Sequence, residues 1–395
     1  MKKFLLTALS VLVVSGAWAQ APAGYHKFTD TKTAPVTSVK DQNRSGTCWS
    51  FSALALFESE LLRMGKGDYD LSAMWVARHT YYEKAVKYVR MHGTINLSAG
   101  GAWEDVPDVI RKYGIVPTSV YTGLNYGLDN HDHSELDEVV KAYCDAVVAA
   151  KGKTLTTAWI AGLNGILDAY FGKLPETFTY NGKSYNGISF RDMLGLNMDD
   201  YICFTSFIHH PFYTWFAIEV PDNWAWGEAF NIPQDEMLKI TEGSLDKGYA
   251  VWWGSDVSEP GFVYPRGIAF NPPEVIETAE GTELAKWVNV GSNQRGAMIA
   301  KMLEGKINER EYTQEERQAA FDNYETTDDH GMLLTGIATD QDGKQYFKVK
   351  NSWAESGPYK GYFYVSYPFF KYKSMEVAMH KDALPKDLKN KLGVK

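Results

Sequence analysis

The chain has 395 residues, of which 45% are hydrophobic, 14% aromatic and 23% charged, with 34 glycines, 15 prolines and three cysteines. Those proportions belong to a globular protein of two or three structural units at roughly 150 residues each, and they exclude a disordered, collagen-like or disulfide-stapled chain. The 40 basic and 49 acidic side chains give a formal charge of −9 with no basic tract, so the electrostatic footprint of a nucleic-acid binder is missing.

Met1-Lys2-Lys3, an apolar run from Phe4 to Val14 and Ala17-Trp18-Ala19 before Gln20 have the order of a cleavable signal peptide. Cleavage is expected after Ala19. The apolar run is about half the roughly 20 residues that a spanning helix needs, so the mature protein is expected to carry no membrane anchor and to be periplasmic or secreted. Losing Lys2 and Lys3 takes the charge from −9 to −11. Cys48, Cys144 and Cys203 are odd in number, which leaves at least one thiol unpaired within the chain. A Cys144–Cys203 bridge is one option; two buried apolar thiols is the plainer one.

Apolar residues at spacings of three and four predict a helix from about Cys48 to Met64, stopped by Gly65, a second from Ser72 to about Met91, and a third from Trp103 to Tyr113, stopped by Gly114. The middle of the chain holds a helical stretch near Glu135 to Ala150, a turn at Asn181-Gly182-Lys183 and an aromatic cluster from Phe212 to Trp226, which reads as core or interface. Further on, Tyr249 to Gly254 reads as a buried strand and Glu311 to Tyr324 as a charged surface helix. Met332 to Ala338 and Tyr346 to Val349 read as a hairpin turning at Asp340–Gly343. Another strand, Tyr362 to Tyr367, and a helical stretch, Lys386 to Leu392, complete the chain.

The chemistry begins at Cys48. A thiol at a helix start meets unpaired backbone N–H groups and the positive end of the helix dipole, and both favour the thiolate. A lone cysteine is more often structural, so its partners decide the question. His330 opens one strand of the hairpin, and Asn351 closes the other. Phe347, Val349, Asn351 and Trp353 share one strand face, which turns Asn351 inward. A turn centred on Gln341-Asp342 leaves His330 and Asn351 about 7 Å out of register, a gap that a bulge or longer loop would close. An inward amide can fix the imidazole tautomer and leave the other ring nitrogen for the thiol.

Gln42 to Trp49, Asp329-His330-Gly331 and Asn351-Ser352-Trp353 resemble the active-site blocks of papain-like cysteine peptidases. The signature around the nucleophile reads Ser45-Gly46-Thr47-Cys48-Trp49, without its usual first cysteine. His330 lies 282 residues after Cys48, against about 130–150 in papain-like enzymes. That spacing resembles the bleomycin hydrolase and bacterial aminopeptidase C family, as do Gly100-Gly101-Ala102-Trp103, Lys112 to Pro117, Ala250 to Asp256 and Lys360-Gly361-Tyr362.

The resemblance implies an α+β papain-like fold of two lobes, one helical and one β-barrel-like, with a large family-specific insertion. The corresponding segments are a signal peptide (1–19), a helical lobe with the nucleophile (20–125), the insertion (126–248) and a β-rich lobe with the histidine and asparagine (249–395). It also implies roles. Cys48 attacks, His330 moves the proton, Asn351 orients His330, and Gln42 donates to the oxyanion with the Cys48 N–H. Trp353 shields the His330–Asn351 bond beside the substrate, while Gly100 and Gly101 admit the substrate backbone, though a plain turn explains that pair equally well. The expected function is an aminopeptidase acting on peptides. The family's C-terminal arm looks shortened, which favours an endopeptidase as the alternative, and a non-catalytic peptide-binding protein is the alternative of another class. A homo-oligomer is compatible with the family, although few mature residues precede Cys48 to build its hexamer. No metal or organic cofactor is indicated, since the histidines and cysteines lack H-E-x-x-H and C-x-x-C spacing.

Overall fold

The computed structural model describes residues 26–152, 154–272 and 299–394. The signal-peptide reading falls outside them. The first strand, β1 (Thr29–Thr33), is followed by helices α1 (Cys48–Arg63), α2 (Ala73–Arg90), α3 (Asp105–Tyr113), α4 (Ser134–Val148) and α5 (Ala158–Phe171). A small hairpin of β2 (Phe178–Tyr180) and β3 (Lys183–Tyr185) precedes α6 (Gly187–Leu194). Next come β4 (Tyr201–Thr205), β5 (Trp215–Ala217), β6 (Glu228–Asn231) and α7 (Gln234–Asp246). The remaining strands are β7 (Val251–Ser255), β8 (Phe262–Val263), β9 (Ile268–Ala269), β10 (His330–Thr339), β11 (Gln345–Lys350), β12 (Tyr362–Ser366) and β13 (Ser374–His380).

The local chemistry of these elements is ordinary. Ser72 caps α2 by accepting from the Trp75 N–H at 3.0 Å, and Gly114 ends α3 at φ +72°. The Asp340 carboxylate accepts the N–H groups of Asp342 and Lys344, both at 2.9 Å, and so closes the β10–β11 turn. Asn181 and Gly182 both take positive φ, as a tight hairpin between β2 and β3 requires.

Apart from β2 and β3, the strands form one sheet in the order β5-β6-β4-β13-β7-β10-β11-β12-β9-β8, with β1 on β10. Its path is open, so the β half is a long sheet instead of the closed barrel that a β-barrel-like lobe suggests. Both faces are covered, because the central strands are apolar on both sides. Trp252, Leu333 and Ala378 face a core shared with α1 to α6. Trp253, Met332, Leu334 and Val377 face a second core toward α7 and the helix Tyr367–Lys373. The chain between residues 126 and 248 is tied into this architecture at β4, which pairs with β13.

Two sequence expectations change. The aromatic cluster divides: Phe216 and Trp224 are buried, whereas Tyr213, Trp215 and Trp226 are exposed. The helix predicted as a charged surface element spans Gln314–Asp322 and buries Arg317, whose guanidinium donates to the carbonyls of Ser206, Lys371, Tyr372 and Ser374. A guanidinium can be buried there because four carbonyl dipoles replace its water. Helices α5 to α7 and strands β1, β4 to β6, β8, β9 and β13 add to the elements expected from the sequence, and α5 and α7 bury residues at helical spacing, Leu163, Leu167 and Phe171 in one and Met237, Ile240 and Ser244 in the other. All three cysteines are unpaired, with Cys144 and Cys203 buried, as the plainer reading expected.

Candidate active site

Helix α1 presents its first residue, Cys48, to the open end of β10. Gly331 sets the approach: a Cβ there would lie 2.8 Å from Ser52 Oγ and 3.2 Å from Trp49 Cα, so only glycine lets helix and strand come this close. The contact is pinned by Ser52, whose hydroxyl donates to the Cys48 carbonyl at 2.7 Å and accepts from Trp252 Nε1 at 2.7 Å. The Gly331 N–H lies near the Cys48 sulfur and favours its thiolate. The residue before Gly331 is His330, and its ring lines the same cavity of about 350 Å³ as the thiol.

His330 and Asn351 meet at 2.7 Å, Nε2 to Oδ1. The hairpin pairs Leu333 with Lys350 and Leu334 with Val349, the predicted register, and then shifts at a bulge between Leu334 and Gly336. That bulge lies on the turn side and does not close the predicted gap. The two side chains close it, as diagonal neighbours on one strand face. Asn351 Oδ1 also accepts the Ser352 N–H at 2.8 Å, which identifies it as the oxygen. Nε2 of His330 is therefore the protonated nitrogen, and Nδ1 keeps its lone pair. Trp353 stacks on the His330 ring with centroids 4.7 Å apart and so covers the bond to Asn351.

Gln42 is buried, and it also lines the cavity. Its N–H donates to the Ser352 carbonyl at 2.8 Å, and its Oε1 accepts from Ser352 Oγ at 2.6 Å. With the oxygen engaged, the Gln42 Nε2 protons are the part of the amide left for a ligand. Ser352 thus orients both amides of the site. Its partner Gln42 lies 310 residues away, so the sequence gives no sign of that contact.

Gly100 and Gly101 line the cavity opposite His330, and both need to be glycine for reasons internal to the protein. A Cβ on Gly100 would fall 1.9 Å from Asp222 Oδ2, and one on Gly101 would fall 2.6 Å from Asp105 Oδ2 and 2.8 Å from Trp49 Cε2. The buried ammonium of Lys84 holds this wall by donating to the carbonyls of Ser98 and Gly100. Asn96 fixes Asp222 through a bond of 2.8 Å. Lys84, Asn96 and Asp222 had no motif to mark them.

Burial dominates the electrostatics. It pushes the Cys48 thiol up to about 11 against the N–H donors of Gly331 and Trp49, and it draws His330 down to about 4 against the bond to Asn351. The resting pair is thus thiol and neutral imidazole, whereas the helix start alone led to the expectation of a thiolate. Desolvation outweighs the helix dipole here. The cavity also holds Asp222, Asp328, Asp329 and Glu376, with no lysine or arginine among its described lining residues. Burial raises Glu376 to about 7, and burial with the neighbouring Glu376, Asp222 and Asp329 charges holds Asp328 well above the usual carboxylate range. A second cavity of about 440 Å³, beside Glu83 and Lys112, contains no cysteine.

A helix-borne thiol facing a strand-borne His–Asn pair across a cleft defines a papain-like cysteine peptidase. The chain belongs to the peptidase C1-like family, whose model matches residues 24–262 and 301–395. It is 23% identical to aminopeptidase C of Streptococcus thermophilus, over 88% of this chain and 81% of that protein. It is 22% identical to bleomycin hydrolase of Rattus norvegicus, over 94% of this chain and 86% of that protein. The solved structure of PepW from Lactobacillus rhamnosis shares the fold with a TM-score of 0.66 at 21% identity, covering 92% of this chain and 84% of that one.

Proposed function

We propose that this chain is an aminopeptidase in which Cys48 is the nucleophile, His330 the proton carrier, Asn351 its orienting residue and Gln42 an oxyanion donor. His330 Nδ1 takes the thiol proton as the sulfur attacks the scissile carbonyl, so charge separates only as the tetrahedral oxyanion forms. Gln42 Nε2 and the Cys48 N–H hold that oxyanion. Its collapse breaks the C–N bond, His330 returns the proton to the leaving amine, and water then hydrolyses the thioester with His330 as base. What carries the reading is that Cys48, His330 and Gln42 line one cavity, with Asn351 bonded to His330 behind it, in a member of a peptidase family.

The aminopeptidase part draws on the names of the relatives and on the carboxylates of the cleft, which favour a substrate bearing an ammonium group close to the scissile bond. Endopeptidase action is the second reading, since the arrangement of Cys48, His330 and Gln42 does not itself require a free amine on the substrate. Digestion of one defined long peptide, free or acetylated at its N-terminus, separates them. Stepwise loss from the free peptide alone supports the aminopeptidase; internal cuts in both forms refute it. Export rests on the leader-like residues 1–19, and N-terminal sequencing of the protein from a periplasmic or culture fraction tests it by the presence of Gln20 as first residue.

A further inference from the structure

The loop after β4 carries His209 and His210, and the segment after β5 carries Glu219. Their ligating atoms all lie within 4.8 Å of one another. His209 Nε2 is 3.0 Å from one Glu219 oxygen, and His210 Nε2 is 3.2 Å from the other. Four-coordinate zinc with bonds of about 2.0–2.1 Å places its ligands about 3.3 Å apart, so each histidine nitrogen already stands at nearly that distance from a Glu219 oxygen, with the two nitrogens within 4.8 Å of each other. The two histidines and the glutamate nine residues on match no common sequence motif, which is why the sequence indicated no metal.

The surroundings fix the tautomer of His209. Its Nδ1 lies 3.2 Å from Gln318 Oε1, an atom that also accepts the Ile208 N–H at 2.7 Å, while Gln318 Nε2 donates to Asp322 at 2.9 Å. Gln318 Oε1 is therefore an acceptor, and His209 Nδ1 must carry the proton. Its Nε2 is thereby turned toward Glu219 and is the ring nitrogen that faces the cluster. A ligating histidine whose other nitrogen is fixed by an amide oxygen is a common feature of metal sites.

The loop is also built in advance. Asn231, fully buried, donates through Nδ2 to the carbonyls of Phe207, His210 and Pro211. The rings rest on neighbours, His210 on Phe216 with centroids 4.2 Å apart and His209 on Phe321 at 5.8 Å. Glu219 and His210 remain open to water, which leaves room for a fourth ligand.

We propose that His209 Nε2, His210 Nε2 and Glu219 bind a divalent transition ion of the zinc class, with water completing the shell. Two imidazoles and a carboxylate suit zinc, copper or nickel and not calcium or magnesium. The ion ties the loop after β4 to the segment that ends at Asp222 on the cleft wall.

The test is zinc titration of full-length Cys48→Ser protein by calorimetry, so that zinc at the nucleophile is not counted. One equivalent is expected, with a rise in melting temperature. Cobalt in its place is expected to give ligand-field bands without thiolate charge-transfer absorption. His209→Ala and Glu219→Gln are expected to abolish binding, and Gln318→Ala to weaken it by about 10–100-fold. Circular dichroism checks that each variant is folded. His210→Ala, at a part-exposed position, is the variant least able to disturb the core. No zinc binding by Cys48→Ser protein, or binding that survives both His210→Ala and Glu219→Gln, overturns the proposal and leaves an imidazolium–carboxylate pair.

Discussion

Ser352 offers a graded test of how the oxyanion donor is held. Replacing Gln42 by Ala removes one donor from the transition state, which typically costs ~2.7–4 kcal/mol, or 10²–10³ in kcat. Ser352→Ala leaves that donor in place and removes only the 2.6 Å bond that fixes Gln42 Oε1. A neutral hydrogen bond contributes about 1 kcal/mol, a factor of about five in the balance between amide orientations. The backbone N–H of residue 352 survives the substitution, so the Asn351 contact is kept. Ser352→Ala is therefore expected to lower kcat about five- to tenfold with KM unchanged. In a Gln42→Ala background it should do nothing more, since there is no amide left to orient. Steady-state kinetics of the two single variants and the double variant on one fluorogenic peptide give the answer. Additive losses would refute the reasoning and move the contribution of Ser352 elsewhere.

Three further outcomes follow from the same geometry. Asn351→Asp keeps an acceptor on His330 Nε2 but makes it anionic, which favours the imidazolium. The acid limb of kcat/KM, set by an imidazole lying at about 4, should move up by roughly 1–3 pH units in a pH–rate profile. Gly331→Ala forces the new Cβ against Ser52 Oγ and the Trp49 backbone, so a loss of about 1–3 kcal/mol in denaturant unfolding and a lower kcat are expected. Glu376, raised to about 7, loses its charge as pH falls through that value. KM for a free-amine peptide should then rise below pH 7, and Glu376→Gln should abolish that rise.

How much the sequence disclosed depended on the range of the signal. Cys48 and its helix were legible because the apolar repeat and Gly65 bound the helix locally, and the His330–Asn351 hairpin because the alternation ending at Asn351 and the Asp-Gly turn act over a few residues. Even the register near the open end followed from the turn. The charge state did not, because the burial that shifts both groups depends on how segments distant in the chain close around the thiol and imidazole. Ser352, Lys84 and Asp222 were missed for the same reason. Each acts on a residue 16 to 310 positions away, through a contact that leaves no period in the chain. Arg317 shows the converse error: in a helix of Gln, Glu and Arg it reads as solvated, and only carbonyls from two other segments, at residue 206 and residues 371–374, bury it.

The most direct measurement is the rate at which a thiol-directed epoxide alkylates each cysteine of the folded protein, followed by mass spectrometry alongside residual peptide hydrolysis, in the native chain and in His330→Ala. Modification confined to Cys48, stoichiometric with loss of activity and markedly slower in the variant, is the predicted result. Hydrolysis that persists after Cys48 is fully alkylated, or equal alkylation rates in the two proteins, would contradict a thiol activated by that imidazole.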